Sequence, residues 1–123
     1  MVPSGASTGK FEALELRDGD KNRMGGKGVL TAVSNVNDLI KSNVLSKEFT
    51  NYQNFDEFLI NLDGTENKSK FGANTILSLS LAFYKAWSHL NFGNIFLSQG
   101  DKNLTIPVPM LNVINGGQHA DND

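Results

Sequence analysis

The sequence contains no cysteine, no excess of basic residues and no long uninterrupted apolar run, and each shortage excludes a class of protein. Without cysteine there is neither a disulfide nor a cysteine-based zinc site. Polar side chains interrupt the longest apolar region, near residues 73–90, so the sequence predicts no membrane-spanning helix. The net charge of −2 argues against electrostatic binding to nucleic acid or to an anionic membrane.

A secretory signal peptide, with a positively charged start followed by an apolar segment, is also lacking. We therefore expect a cytoplasmic protein. The 123 residues suffice for one small domain, which buries roughly two-thirds of the surface of its unfolded chain. A hydrophobic core can therefore form without disulfides or structural metals.

Small residues at positions 4–9, with the sequence SGASTG, predict a loop. Glycine allows positive φ, and serine and threonine hydroxyls bond locally to the backbone. Two interpretations remain open: an ordinary surface turn, or a loop whose N–H and O–H groups bind an anion or the outer ligands of a metal. A P-loop is excluded, because Ser4 stands where that motif requires glycine and Phe11 stands where it requires serine or threonine.

Hydrophobic periodicity predicts three helices, at about residues 30–42, 54–62 and 73–90, with Asp63-Gly64 ending the second. Apolar residues nearly encircle the third helix, so we expect it to form the centre of the core and to be covered on most sides. A short further helix is predicted at residues 94–99 and a turn at residues 100–103.

Two further segments predict extended structure. Residues 11–17 alternate apolar and charged side chains, which fits either a short strand or an extended arm. Residues 106–114 are mostly apolar and predict a strand buried on both faces, as in a parallel sheet or barrel. Such a strand is not stable alone, so we expect exposed apolar surface and a chain that tends to associate.

Charged residues suggest metal sites at two places, and the pattern supports neither. Residues 18–22 begin like a calcium loop, but Arg23 occupies the glycine position and Val29 the terminal glutamate position, so we predict a turn. His119 and two nearby aspartates are more often solvated, and on the bare sequence His119 is a loop histidine without a role. His89 is predicted to be a surface or capping residue near a helix end.

Nine short motifs follow one another along nearly the whole chain. They are SGASTG (4–9), EALELRDGD (12–20), GKGV (26–29), NVN (35–37), LDGT (62–65), NKSK (67–70), GAN (72–74), PVPM (107–110) and NGGQHA (115–120). Together they resemble the amino-terminal region of the enolase (phosphopyruvate hydratase) family, and nine collinear blocks are far more specific than one. The resemblance implies an α+β capping domain, mostly helical here, over residues 1–105. It also implies that residues 106–123 begin a TIM-like barrel, with the first barrel strand at residues 107–115, and that the opening strands of the capping domain are missing from this sequence.

The resemblance also implies a function. Enolases are glycolytic lyases that dehydrate 2-phosphoglycerate to phosphoenolpyruvate with two Mg²⁺ ions; enolase-superfamily sites are an established example of a Lys or His base working with magnesium that stabilises an enediolate. On that pattern residues 4–9 form a lid over the substrate, and Ser7 ligates the second Mg²⁺. The backbone of Ala6 and Ser7 lies against the substrate carboxylate, while His119 approaches the substrate phosphate and assists acid–base chemistry.

Other residues that the family needs are expected beyond Asp123: a glutamate, the lysine base and the acidic ligands of the first Mg²⁺. A general base and bound metal ions each supply a large share of such catalysis, so we expect the 123-residue chain to be inactive alone. The family also implies a homodimer. The alternative is a non-catalytic, stand-alone binding or dimerisation module derived from an enolase.

Overall fold

The structure is a computed structural model that describes residues 2, 9–96, 98, 105–111, 113 and 114. Its regular elements are a 3₁₀ turn at Met24–Gly26, α1 at Leu30–Ser34, a π-helical segment at Asn35–Ile40, α2 at Lys41–Val44, α3 at Tyr52–Asp63 and α4 at Ala73–Phe92. The backbone stays right-handed helical at both junctions of the π-helical segment, so residues 30–44 form one continuous rod.

The three predicted helices are confirmed, with ends that differ from the predicted ones by no more than two residues. α3 begins earlier than predicted because the Asn51 side chain caps it, accepting the Asn54 N–H at 2.8 Å. It ends where predicted, because Gly64 adopts a left-handed φ of 69° and donates its N–H to the Ile60 carbonyl at 2.9 Å.

The strands of the predicted α+β fold are absent from the described residues. Residues 12–20 form no strand, which favours an arm over a strand for this segment. The strand expected in residues 106–114 is not shown, because their described part forms no strand. Ile106, Val108 and Met110 are 94%, 86% and 97% exposed, which is the exposed apolar surface that the sequence predicts for this segment on its own. A strand is stabilised by backbone bonds to a neighbouring strand, and no described residue belongs to one.

The core lies where the helical rod, α3 and the segment before α4 meet. Its buried side chains are Ile40, Phe55, Leu59 and Phe71; partly buried ones around them are Val44, Phe49, Phe58, Leu62, Ile76, Leu79 and Phe83. Phe55 stacks on Phe83 with ring centroids 4.2 Å apart, and Phe49 meets Phe55 edge-on at 5.0 Å. These aromatic contacts hold α3 against α4.

The prediction that α4 is covered on most sides is wrong for the described residues. Leu77, Leu81 and Leu90 are exposed, Leu90 by 83%, and the fully buried side chains of α4 are the polar Thr75 and Ser88. α4 packs against α3, α1 and the π-helical segment, and these contacts leave much of its surface open. The core is therefore shared among elements rather than centred on α4.

The carboxyl end of α4 agrees with the sequence. His89 Nδ1 lies 3.0 Å from the Gly93 carbonyl oxygen, and Gly93 adopts a left-handed φ of 82°, so His89 is confirmed as a capping residue. The predicted helix at residues 94–99 falls partly outside the described residues, and the predicted turn at residues 100–103 falls wholly outside them.

Candidate functional site

The three site residues implied by the resemblance, Ala6, Ser7 and His119, lie outside the described residues, and the structure does not place them relative to one another. It does describe the segment that follows the predicted lid. We call residues 9–18 the arm, and we call residues 64–74, which lead from α3 into the first turn of α4, the receiving loop.

The arm begins with a closed turn. The Gly9 carbonyl accepts the Glu12 N–H at 3.2 Å, and the Glu12 carboxylate accepts the Gly9 N–H at 2.8 Å. Phe11, within this turn, is 94% exposed. Two hydrogen bonds between Gly9 and Glu12 therefore close this turn.

Hydrogen bonds clamp the arm to the receiving loop. The Leu14 N–H donates to the Asn67 carbonyl at 2.8 Å, and the Leu14 carbonyl accepts the Ala73 N–H at 2.7 Å. The Asn74 amide bonds both backbone groups of Leu16, accepting its N–H at 3.1 Å and donating to its carbonyl at 3.0 Å. A side-chain amide can act as donor and acceptor at once, so Asn74 bonds the Leu16 backbone in the way that a neighbouring strand would. We call these four bonds the clamp.

Gly72 lies at the closest approach of the arm and the receiving loop. Its φ of 90° and ψ of 139° belong to a region that is essentially restricted to glycine, and an added Cβ would lie 2.4 Å from Leu16 Cβ and 2.6 Å from Asn74 Oδ1. We expect Gly72→Ala to lower the free energy of unfolding by about 2–3 kcal/mol, because backbone strain and loss of the clamp act together. Denaturant unfolding followed by Trp87 fluorescence measures this loss.

Gly19→Ala is the matched control, since Gly19 has a φ of 73° but no atom within 4 Å of an added Cβ. This variant measures only the cost of holding alanine in a left-handed backbone conformation, which we expect to be about 1 kcal/mol. If Gly72→Ala and Gly19→Ala lower the free energy of unfolding equally, the close approach of the arm and the receiving loop at Gly72 does not contribute to stability.

Asp18, at the end of the arm, caps α1 from a distance. Val29, the N-cap residue of α1, makes no side-chain cap bond. The Asp18 carboxylate instead accepts the N–H groups of Leu30 at 2.8 Å and Thr31 at 2.9 Å, and Arg23 Nη1 donates to it at 3.1 Å. The backbone bonds from Thr31 and Leu30 lower the pKa of Asp18 below its ordinary value of 3.8; desolvation opposes them, and Arg23 lowers the pKa further.

We expect the stabilising effect of Asp18 to depend on pH. A carboxyl whose pKa is lowered by folding stabilises the fold at pH values above its unfolded pKa, and this stabilisation is lost as the pH falls through the folded pKa. The difference in Tm between the native chain and Asp18→Asn should therefore be constant above about pH 5 and shrink below about pH 4. Thermal melts across this range test it, with exposed Glu48→Gln as control. A difference that stays constant down to about pH 2 would show that the ionised form is not what caps α1.

Asp63, the last residue of α3, is 3% exposed and organises the receiving loop. Its Oδ1 accepts the Thr65 N–H at 3.0 Å and the Thr65 hydroxyl, and its Oδ2 accepts the Phe71 N–H at 2.8 Å. Thr65 Oγ1 in turn accepts the Ser69 N–H at 2.8 Å. Burial alone raises the pKa of Asp63, but the bonds from the Thr65 hydroxyl and the Phe71 and Thr65 N–H groups outweigh it, so the pKa lies below its ordinary value.

Sequence reasoning missed Asp18, Asp63 and Asn74 as positioning residues. The sequence predicts a turn at residues 18–22, and the bonds that Asp20 accepts from the Asn22 and Arg23 N–H groups confirm a turn that starts at Asp20. The sequence also places Asp63 at a helix end. The hydrogen-bond partners of Asp18 lie 12 and 13 residues away in the sequence. Phe71 lies 8 residues from Asp63, and Leu16 lies 58 residues from Asn74. Local sequence patterns cannot predict contacts between residues so far apart in the chain. The only sequence signal for Asn74 is its place in the GAN motif.

A cleft of about 380 Å³ opens beside the arm, between the rod and α4. Its lining comprises Val2, Glu15, Arg17, Val29, Ala32, Val33, Val36, Asn74, Thr75 and Ser78. The Arg17 guanidinium donates to Glu15 Oε1 at 2.7 Å and to the Lys27 carbonyl at 2.6 Å. Arg17 is therefore bound to other protein groups at the edge of a cleft whose lining is otherwise largely apolar. Within the described ranges no three His, Cys, Asp or Glu side chains come together as a candidate metal site.

The helices that the structure describes include none with the length and apolar character needed to cross a membrane.

Comparison with known proteins identifies the family. Residues 1–99 match the family model described as the enolase N-terminal domain. Over 99% of its length the chain is 58% identical to Enolase 1 of Chlorobaculum tepidum, and it spans 29% of that protein's own length. The resemblance carried by the nine motifs is thereby confirmed: the chain belongs to the enolase family, and residues 1–99 correspond to the amino-terminal domain of that family.

Proposed function

We propose that this chain is the amino-terminal part of a glycolytic enolase, a lyase that dehydrates 2-phosphoglycerate to phosphoenolpyruvate. The observation that carries the proposal is the 58% identity to a protein named Enolase 1 over nearly the whole chain. The SGASTG and NGGQHA motifs, at residues 4–9 and 115–120, both fall within the aligned length.

The site residues take the following roles in this proposal. Residues 4–9 close over the substrate, the backbone of Ala6 and Ser7 binds its carboxylate, and His119 binds its phosphate and assists proton transfer. Ser7 ligates the second of two Mg²⁺ ions, and a hydroxyl oxygen suits this cation because Mg²⁺ prefers oxygen ligands. When bound, the two ions supply the positive charge that stabilises an enediolate, as is established for enolase-superfamily sites.

The described residues support this proposal through positioning. The turn at Gly9 and the clamp on Leu14 and Leu16 hold the chain directly after the predicted lid, which supports a role for this segment in positioning residues 4–9. The rest of the catalytic machinery would come from the remainder of the parent protein, which we propose to be a cytoplasmic homodimer.

The first test compares the native gene product with the 123-residue chain. We expect the native product to be several times the 13.4 kDa of the chain and to form phosphoenolpyruvate at a Mg²⁺-dependent rate, whereas the chain alone shows no turnover. A Mg²⁺-dependent rate from the pure chain would contradict its inactivity. A native product of 13.4 kDa without activity would favour the alternative, a non-catalytic binding or dimerisation module.

Ser7→Ala in the active native product tests the metal assignment. We expect the Mg²⁺ concentration for half-maximal activity to rise on the order of tenfold, because a ligand oxygen is lost. Ser46→Ala is the matched control, since Ser46 is exposed between α2 and α3, and it should leave the Mg²⁺ dependence unchanged. Equal Mg²⁺ dependence in both variants would remove Ser7 from the metal site.

A further inference from the structure

The chain contains two sequences at which a backbone can isomerise without an enzyme, Asp18-Gly19 and Asp63-Gly64. In this reaction the glycine nitrogen loses its proton and attacks the side-chain carboxyl carbon, which loses its hydroxyl, so that one water molecule leaves and a succinimide ring forms. Glycine favours the attack because it has no Cβ to hinder it. Water then opens the ring, and opening at the main-chain carbonyl gives isoaspartate, in which the backbone runs through the side-chain carbon.

The core protects the second of these sequences. Asp63 is 3% exposed, and its carboxylate accepts the N–H groups of Thr65 and Phe71. The Gly64 N–H, whose proton the reaction must remove, donates to the Ile60 carbonyl at 2.9 Å. Because Phe71 is a core residue, these bonds are lost only when the core opens, so we expect Asp63 to isomerise only through extensive unfolding.

A local set of bonds protects the first sequence. The Gly19 N–H donates to the Gly26 carbonyl at 3.1 Å, and the Asp18 carboxylate accepts the N–H groups of Leu30 and Thr31. These backbone bonds also lower the pKa of Asp18 and so favour the ionised carboxylate, which is the unreactive form. None of these residues is buried, so this set of bonds can open while the core stays closed.

We propose that Asp18-Gly19 is a self-modification site, which the cap on α1 protects and which destroys that cap once it has reacted. Opening of the bonds to Leu30 and Thr31 frees the Asp18 carboxyl for attack by the Gly19 nitrogen. In the isoaspartate product the backbone is longer by one carbon and the carboxylate is attached directly to Cα. The bonds to Gly26, Leu30 and Thr31 therefore cannot all form again, and α1 loses its cap.

The test stores the native gene product at neutral pH and physiological temperature for several weeks. Its proteolytic peptides are then analysed by electron-transfer mass spectrometry, which distinguishes isoaspartate from aspartate. We expect isoaspartate to accumulate at Asp18 faster than at Asp63. Because the cap must open first, the rate at Asp18 should be at least about tenfold lower than in a synthetic peptide of residues 14–23.

Arg23→Gln tests the protection directly, since Arg23 Nη1 donates to the Asp18 carboxylate at 3.1 Å. Loss of this partly exposed ion pair should speed isomerisation at Asp18 about two- to fivefold and leave Asp63 unchanged. Lys21→Gln is the matched control, because it removes the same charge from an exposed residue near Asp18 and should leave the rate unchanged. In the isomerised protein, hydrogen exchange should accelerate at the Leu30 and Thr31 amides.

Four results would overturn the proposal. Isomerisation of Asp18 as fast as in the synthetic peptide would show that the cap gives no protection, and no isoaspartate in Arg23→Gln while the peptide reacts would remove the site. Equal rates in Arg23→Gln and Lys21→Gln, or equal acceleration at Asp63, would assign the effect to charge or to unfolding. Unchanged exchange at Leu30 and Thr31 in the isomerised protein would show that the cap survives.

Discussion

Replacing Phe55 by alanine is expected to unfold a large fraction of the chain. Phe55 is 3% exposed, stacks on Phe83 at 4.2 Å and meets Phe49 at 5.0 Å, so it joins α3 to α4 and to the segment before α3. Truncating a buried phenylalanine costs about 3–5 kcal/mol, through lost transfer free energy and the cavity left behind. Small domains have a total stability of only about 5–15 kcal/mol, so the near-ultraviolet circular dichroism of this variant should be largely lost.

Two variants control for this interpretation. Phe55→Leu keeps most of the buried volume and should cost about 1–1.5 kcal/mol. Phe96→Ala removes the same atoms from a side chain that is 67% exposed and should cost less than about 0.5 kcal/mol. If Phe55→Ala is no less stable than Phe96→Ala, the aromatic cluster does not hold α3 and α4 together.

Asp63→Ala is expected to lower the free energy of unfolding by about 2–4 kcal/mol, because the buried Phe71 N–H loses its acceptor and the Thr65 groups lose theirs. The damage should reach beyond Asp63 itself. Phe71 is a buried core residue, and the receiving loop between Thr65 and Phe71 supplies the Asn67 carbonyl that holds the arm. Hydrogen exchange should therefore accelerate at the Leu14 amide as well as at the Phe71 amide.

Two comparisons make the Asp63 prediction specific. Thr65→Val removes one hydroxyl partner but leaves the Phe71 bond, so its loss should be smaller, at about 1 kcal/mol. Because folding lowers the pKa of Asp63, its contribution is present at pH values above the unfolded pKa and is lost as the pH falls through the folded pKa. The stability difference between the native chain and Asp63→Asn should thus shrink below about pH 4, and a difference that grows on acidification would contradict the hydrogen-bonding scheme.

The arm links these stability predictions to the proposed function. Asp63 orders the receiving loop, the receiving loop and Asn74 clamp Leu14 and Leu16, and the arm carries the predicted lid at its amino-terminal end. Changes at Asp63 or Gly72 in an active native product should therefore disturb the lid without touching the substrate. Kinetic effects of these two variants are expected to be correlated, since both act through the same clamp.

Much of the fold could be predicted where the signal is local. Periodic apolar residues locate α3 and α4, because one face of each must be buried, and Gly64 marks the end of α3, because only glycine enters the left-handed region without strain. The family could be predicted as well, since nine collinear motifs constrain it more tightly than composition does. The roles of Ala6, Ser7 and His119 remain predictions, as these residues lie outside the described part of the chain.

The sequence by itself determined the helices, the turn that starts at Asp20 and membership of the enolase family. Only the tertiary structure decided which polar groups hold these elements together. Asp18 caps a helix that begins 12 residues later, Asn74 bonds the backbone of Leu16, 58 residues earlier, and α4 leaves Leu77 and Leu81 exposed. The physical reason is that hydrophobic periodicity depends on residues that are close together in the sequence. The partner of a buried carboxylate or amide instead depends on which distant segments pack within hydrogen-bonding distance of it, about 3 Å.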